Sequence, residues 1–341
     1  MASSTTTEPR PAHEARPSDV ALLALAGDVA ERLRRAVGAV VVGQDEVLSA
    51  MLVALAARGH ALLVGVPGLA KTLLVAALAR ALDLSFGRVQ FTPDLLPADI
   101  TGTDVVHDEG GLRSLRFLPG PIFHNLVLAD EINRTPPKTQ AALLQAMQER
   151  EVTVGTNTHR LPSPFQVFAT RNPIEQEGTY PLPEAQRDRF LLEVAIDYPS
   201  EAEEREVAVR TTSGAVRPVE PVVTRDELAL VTELVPRIPV TDEAVAFAVK
   251  IVRATRPATA GASDAVRDYV RFGAGPRGSQ SLVLAAKARA ALRGEAAADL
   301  DDVRALVVPT LRHRLVLSYR ADAENVSVLD VLERVRRAVD R

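Results

Sequence analysis

Eight consecutive residues, Gly65-Val66-Pro67-Gly68-Leu69-Ala70-Lys71-Thr72, carry glycine, lysine and a hydroxyl side chain at the spacing that binding a phosphate chain requires. Glycine lets successive backbone N–H groups turn toward one anion, a following helix adds the positive end of its dipole, and lysine supplies a full charge. In such a loop Lys71 reaches the β and γ phosphates and Thr72 offers its hydroxyl to Mg²⁺. Lysine is scarce in this chain, since Lys71, Lys138, Lys250 and Lys287 are the four among 40 basic residues. Ala70 stands where the general pattern has glycine.

A second group is Leu126-Val127-Leu128-Ala129-Asp130-Glu131, an apolar run that ends in two carboxylates. The first of such a pair can hold Mg²⁺ through water, and the second can polarise an attacking water. Phe168-Ala169-Thr170-Arg171-Asn172-Pro173 ends another apolar run with an amide able to orient a water or touch a γ-phosphate. Arginines follow in Glu184-Ala185-Gln186-Arg187-Asp188-Arg189-Phe190 and in Gly275-Pro276-Arg277. Arg277 would open a helix, where its charge opposes the dipole, which argues that it meets an anion. His13, His60, His107, His124, His159 and His313 show no ligand spacing, so no metal beyond Mg²⁺ is expected.

The elements that must position these groups follow from hydrophobic period. Residues 1–17 are polar and aperiodic, the composition of a disordered tail. Leu22, Leu25, Val29, Leu33 and Val37 form a helical stripe, and a second helix is expected from Gln44 to Ala57. The runs His60 to Val64, Arg88 to Phe91, Asn125 to Ala129, Gln166 to Thr170 and Phe190 to Ile196 lack two-residue alternation, so they read as buried strands of a parallel sheet. Helices between them, Lys71 to Leu82 and Thr135 to Gln148, make the order that of a doubly wound α/β layer. The second of these is expected to start with Thr135 as N-cap and Pro136 in the first turn.

Two stretches interrupt that order: 92–122, with one β-like run near Leu115 to Phe117, and 151–164, a hairpin. After Tyr198 only helical stripes are read, at Asp226–Leu234, Thr241–Thr255, Ser263–Phe272, Arg277–Leu292, Leu300–Leu311 and Val328–Val339. The organisation expected is an α/β core over 18–210, a linker over 211–221 and a small all-α domain over 222–341.

Composition bounds the function. The chain has 341 residues, 47% hydrophobic and 25% charged, enough for a large core. It has no Cys, which excludes disulfides, thiolate catalysis and Cys-ligated zinc. A formal charge of −4 gives no general field for nucleic acid. No apolar run is long enough to span a bilayer, and no signal peptide or anchor is read, so a cytoplasmic setting is expected.

These residues resemble the MoxR branch of the AAA+ ATPases. The likeness runs from Val41-Val42-Gly43-Gln44 through the loop, Gln90-Phe91-Thr92-Pro93-Asp94-Leu95-Leu96-Pro97, Leu128 to Arg134 and Asn172 to Gln186, and on into the helical region. In that branch alanine takes the last loop glycine, as Ala70 does here. The resemblance implies a P-loop AAA+ core with a helical lid. Gly65, Val66, Pro67, Gly68, Leu69, Ala70, Lys71 and Thr72 would form Walker A, Asp130 and Glu131 Walker B, Asn172 sensor 1 and Arg277 sensor 2. Arg189 would be a finger reaching a neighbour's γ-phosphate, and Val42, Gly43 and Gln44 would lie near adenine.

ATP and Mg²⁺ are the cofactors implied, and 92–122 and 151–164 would face a ring pore or a client. A homohexamer that remodels protein partners is implied, with a von Willebrand factor A domain protein among them and maturation or metal insertion as outcome. Arg171 stands where the branch has Gln and Arg187 where it has Leu, so Arg187 competes with Arg189 for the finger. Two other functions stay open: a nucleic-acid motor, and a nucleotide-binding scaffold with little turnover.

Overall fold

The computed structural model describes residues 18–109, 112–174, 178–213 and 218–340. The expected tail, positions 214–217 of the expected linker, and Glu175, Gln176 and Glu177 of the sequence resemblance lie outside the described residues.

Helix α1 (Asp19–Gly38) starts at Ser18, whose Oγ accepts the Ala21 N–H at 3.3 Å, and buries Leu22, Val29, Leu33 and Val37. Helix α2 (Asp45–Ala56) follows. Five strands then form one parallel sheet: β1 (His60–Val64), β2 (Phe86–Gln90), β5 (Leu126–Asp130), β8 (Gln166–Arg171) and β9 (Phe190–Ala195), in the order β2-β5-β8-β1-β9. Parallel pairing needs crossovers, here α3 (Lys71–Ala81) and α5 (Pro137–Glu149) among others. It also brings every C-terminal strand end to one edge, so Val64, Gln90, Asp130 and Arg171 all finish on the same side.

Between β2 and β5 lie α4 (Pro97–Thr101) and a long antiparallel hairpin of β3 (Gly102–Glu109) and β4 (Leu112–Pro119). Local pattern predicts only one short β-like run here, because the hairpin is mostly exposed and carries no buried alternation. The second hairpin, β6 (Glu151–Val154) with β7 (Asn157–Arg160), is where it was expected. Thr135 does not cap α5: its hydroxyl is bound to the Thr92 carbonyl, and Pro136 takes the N-cap position.

After α6 (Glu184–Arg187) and β9 comes α7 (Glu201–Thr212), which has no buried residue and therefore no stripe. It is held instead by a capping box between Ser200 and Glu203 and by acids in its first turn. The remaining helices are α8 (Arg225–Leu234), α9 (Asp242–Ala254), α10 (Asp264–Tyr269), α11 (Pro276–Leu292), α12 (Leu300–Leu311), α13 (Tyr319–Ala323) and α14 (Val328–Val339). This region is not purely helical, since β10 (Val270–Phe272) pairs with β11 (Val316–Leu317). Helix α11 packs on α12, α9, α1 and α2, so one apolar cluster runs from Leu22 to Val339. A second cluster, on the α5 side, joins Leu62, Val127, Leu143 and Phe190.

His60 ties β1 to its neighbours: Nδ1 accepts the Val167 N–H at 2.9 Å and Nε2 faces the Met147 carbonyl at 3.1 Å. The ring therefore carries its proton on Nε2. Burial pushes its pKa down to about 4, and burial likewise pushes His313 well below the ordinary histidine range. The unfolded chain takes up these protons near pH 6.5, where the folded chain refuses them. Stability is thus complete above about pH 6.5 and falls as the pH drops toward 4. Denaturant melts across that window should show a falling midpoint, and a flat one would contradict the buried neutral histidines.

Candidate functional site

The loop leaves β1 at its C-terminal end. A side chain at Gly65 would come within 2.6 Å of the Ile196 carbonyl oxygen, and Gly68 has φ +88°, so both positions favour glycine. Ala70 holds a left-handed conformation with φ 55° as it caps α3. Lys71 Nζ donates to the carbonyls of Gly65 at 2.6 Å and Val66 at 2.8 Å. Burial pushes its pKa down, while the carboxylates of Asp130 and Glu131 pull it back up.

Pro67 to Leu73 line a cavity of about 440 Å³ together with Arg88, Gln90, Asp130, Glu131, Thr170 and Asn172. Two carboxylates side by side at a strand end would repel each other in an arbitrary orientation, and one buried hydroxyl orders them. Thr170 Oγ1 donates to Asp130 Oδ1 at 2.6 Å and accepts the Glu131 N–H at 2.8 Å. Asp130 Oδ2 accepts from Arg88 at 2.8 Å. Glu131 has φ 58°, an uncommon conformation for a residue with a side chain, and its Oε2 accepts from Gln90 Nε2 at 2.9 Å and lies 3.2 Å from Arg134. Asn172 is buried, its Oδ1 accepting the Ile174 N–H.

Thr170, Arg88, Gln90 and Arg134 were not picked out from the sequence. A signal existed for two of them: in β2, Arg88 and Gln90 are exposed and alternate with buried Gly87 and Val89, although the strand lies in a parallel sheet.

The donor set fits a triphosphate and one divalent cation. Mg²⁺ is commonly held by one or two carboxylates plus substrate phosphates, and the Asp130 carboxylate, with the Thr72 hydroxyl beside it in the cavity lining, would be the groups to hold it. Gly43 and Gln44 line a separate cavity of about 990 Å³ with Asp197, Tyr198 and Glu203. Its wall includes Ala195 and Asp197, which flank Ile196, and the Ile196 N–H donates to the carbonyl of Val64, the residue before the loop. Val42 is half-buried next to them.

Arg189 and Arg277 are not at the phosphate cavity of their own chain. They line a cavity of about 300 Å³ with Gly59 and His60, at the start of β1. The 5 residues of that strand separate the two ends of the sheet by roughly 17 Å. Arg277 pairs with Asp188 at 3.7 Å. The Arg189 side chain has no ion-pair or hydrogen-bond partner among the described residues, its backbone N–H donating to the Gln186 carbonyl. Arg187 faces Arg171, Glu193 and Glu184, and burial, with Arg171, makes it less basic than an ordinary arginine.

A parallel sheet whose first strand feeds a phosphate loop, with a helical bundle packed behind it, defines the AAA class of P-loop ATPases. A profile of the ATPase family associated with various cellular activities (AAA) matches residues 60–192, and a profile of the AAA lid domain matches residues 262–335. The chain is 45% identical over 331 residues to Chaperone MoxR1 of Mycobacterium tuberculosis, which covers 96% of this chain and 86% of that protein. It is 36% identical over 300 residues to Protein MoxR of Paracoccus denitrificans, 83% of this chain and 87% of the other. A crystal structure of a putative ATPase from Cytophaga hutchinsonii superposes with a TM-score of 0.86 at 38% identity, covering 93% of this chain and 96% of that one. The chain belongs to the MoxR family of AAA+ ATPases.

The Thr170 hydroxyl gives the first test of the site. Thr170→Val keeps the shape, removes both bonds and leaves the Glu131 N–H unpaired, so it should cost about 1–3 kcal/mol of stability. With the carboxylates displaced, turnover should fall by up to about 100-fold. Thr170→Ser should retain both properties. Denaturant melts and steady-state phosphate release check this, and an unaltered valine variant would contradict the clamp.

Proposed function

We propose that the chain hydrolyses ATP as part of a cytoplasmic homohexameric ring and uses the energy to remodel or activate protein partners. The observation that carries this is the division of one chain's charged groups: Lys71, Asp130 and Glu131 at one end of the sheet, Arg189 and Arg277 at the other. Each half lacks what the other supplies. A ring in which the arginines of one subunit meet the phosphate cavity of the next would complete both.

In this reading the loop N–H groups and Lys71 hold the β and γ phosphates, and Thr72 and Asp130 would hold Mg²⁺, which would offset phosphate charge when bound. Glu131 orients the attacking water and draws its proton, Asn172 fixes the γ-phosphate side, and Arg189 from the neighbour stabilises the charge that develops. Gly43 and Gln44, with Val42 beside them, face the base.

Protein partners are supported by the β3–β4 hairpin, which exposes Val106, Leu115 and Leu118. A protein with a von Willebrand factor A domain is the partner class proposed, with maturation or metal insertion as outcome. The nucleic-acid alternative is weaker. In the β6–β7 hairpin, His159 stacks on Phe117 of β4 at 3.8 Å and 15°, with Phe123 at its edge, so its ring face is already occupied.

Glu131→Gln should bind ATP normally and lower turnover by on the order of 10²- to 10⁴-fold, whereas Lys71→Ala should lose nucleotide affinity. Nucleotide titration beside turnover separates the two. Parent-rate hydrolysis by Glu131→Gln would remove the assigned base, and slow turnover in the parent itself would favour the scaffold.

The ring has its own test. A Lys71→Ala subunit has a dead site and an intact finger, and an Arg189→Ala subunit has the reverse. In random mixtures about one quarter of interfaces would pair a good site with a good finger. Hydrolysis should therefore return on mixing. Absence of rescue in rings shown to contain both variants would contradict the trans role, and Arg187→Ala tested in the same way would show whether its neighbour holds it.

A further inference from the structure

Helix α12 is followed at once by Arg312-His313-Arg314, a basic run that the proposed chemistry does not use. Charge complementing a helix C-terminus would leave such side chains in solvent. Arg314 is instead buried, with 2% of its side chain exposed. Its Nε donates to Asp188 Oδ1 at 2.8 Å. The two terminal nitrogens donate to the carbonyls of Phe190 at 2.9 Å and Leu191 at 3.2 Å, to Ser281 Oγ at 3.0 Å, and to the Thr310 carbonyl. His313 adds a second contact to the Phe190 carbonyl at 3.0 Å.

These partners have a pattern. Asp188 and Phe190 are the residues on either side of Arg189, and Ser281 and Thr310 belong to α11 and α12 of the lid. Arg314 therefore clamps the backbone that carries Arg189 to the helical region. Asp188 also lies 3.7 Å from Arg277. Stability alone is a poor reason for this arrangement, because a buried charge costs desolvation that well-packed apolar side chains avoid. A planar fork that fixes one carboxylate and three carbonyls at once does something an apolar side chain cannot.

We infer that Arg314 is a positioning residue that holds Arg189 in the direction needed to reach the neighbouring subunit's phosphate, and so couples the lid to hydrolysis next door. The inference rests on the reading of Arg189 as a finger acting in trans. It specifies the phenotype. A subunit with a displaced Arg189 keeps its own phosphate cavity intact, since Arg314 lies at the far end of the sheet.

Arg314→Lys keeps the charge and loses the fork. Asp188→Asn keeps the shape and loses the ion pair, and it reports on the same clamp where the lysine variant proves unfolded. Each should bind ATP with parent affinity and turn over on the order of 10²-fold more slowly. Each should also recover hydrolysis when mixed with Lys71→Ala subunits, as Arg189→Ala does. Lost affinity, parent-rate turnover, or a slow rate that mixing fails to rescue would overturn the positioning role while Arg189→Ala is still rescued. If Arg189→Ala is not rescued either, the trans reading falls and the inference falls with it.

Discussion

Parallel strand pairing is the constraint on which the site depends. In an antiparallel sheet the ends of neighbouring strands alternate, and the loop after β1, the carboxylates after β5 and the amide after β8 would be scattered over two edges. Parallel pairing places all of them on one edge within reach of a single ligand. The same rule acts in the other direction: residues that precede strands, such as Arg189 before β9, are sent to the opposite edge. Placement of the finger candidate away from its own phosphate cavity is thus a consequence of sheet topology and not of a loop's choice of conformation.

Within that frame the polar groups constrain one another. Thr170 orders Asp130 and Glu131, Arg88 and Gln90 reach them from the adjacent edge strand β2, and the two carboxylates oppose the desolvation that pushes the half-buried Lys71 ammonium down. Removing water from such a cluster strengthens each attraction and makes each unpaired group costly. The far end follows the same logic, with Arg314 satisfied by five protein partners while the Arg189 guanidinium has none among the described residues. A guanidinium left unpaired beside a fully paired one is the arrangement that an anion from outside the chain would complete.

The sequence was legible where chemistry or burial imposes local order. Strand β1 was read to the residue because an apolar run ends at a glycine that the fold crowds. The loop stands out by its internal spacing, and Asp130, Glu131 and Asn172 because each follows an apolar run that ends at the same edge of the sheet. Thr170 was hidden because its partners are 40 residues away, and nothing near it in sequence marks it. Helix α7 was missed because caps and charges hold it in place of a buried stripe, and the β3–β4 hairpin because neither strand has a buried face. Which end of the sheet Arg277 would occupy was beyond local pattern altogether, since it follows from how α11 packs on α1, α2 and the other lid helices.

The central claim is that a working site takes groups from two copies of the chain. Turnover per subunit, followed as protein is diluted at saturating ATP with sedimentation recorded on the same samples, tests it most directly. The account predicts that turnover per subunit rises with concentration and levels off as assemblies form. Constant turnover down to concentrations at which only monomers sediment would contradict it.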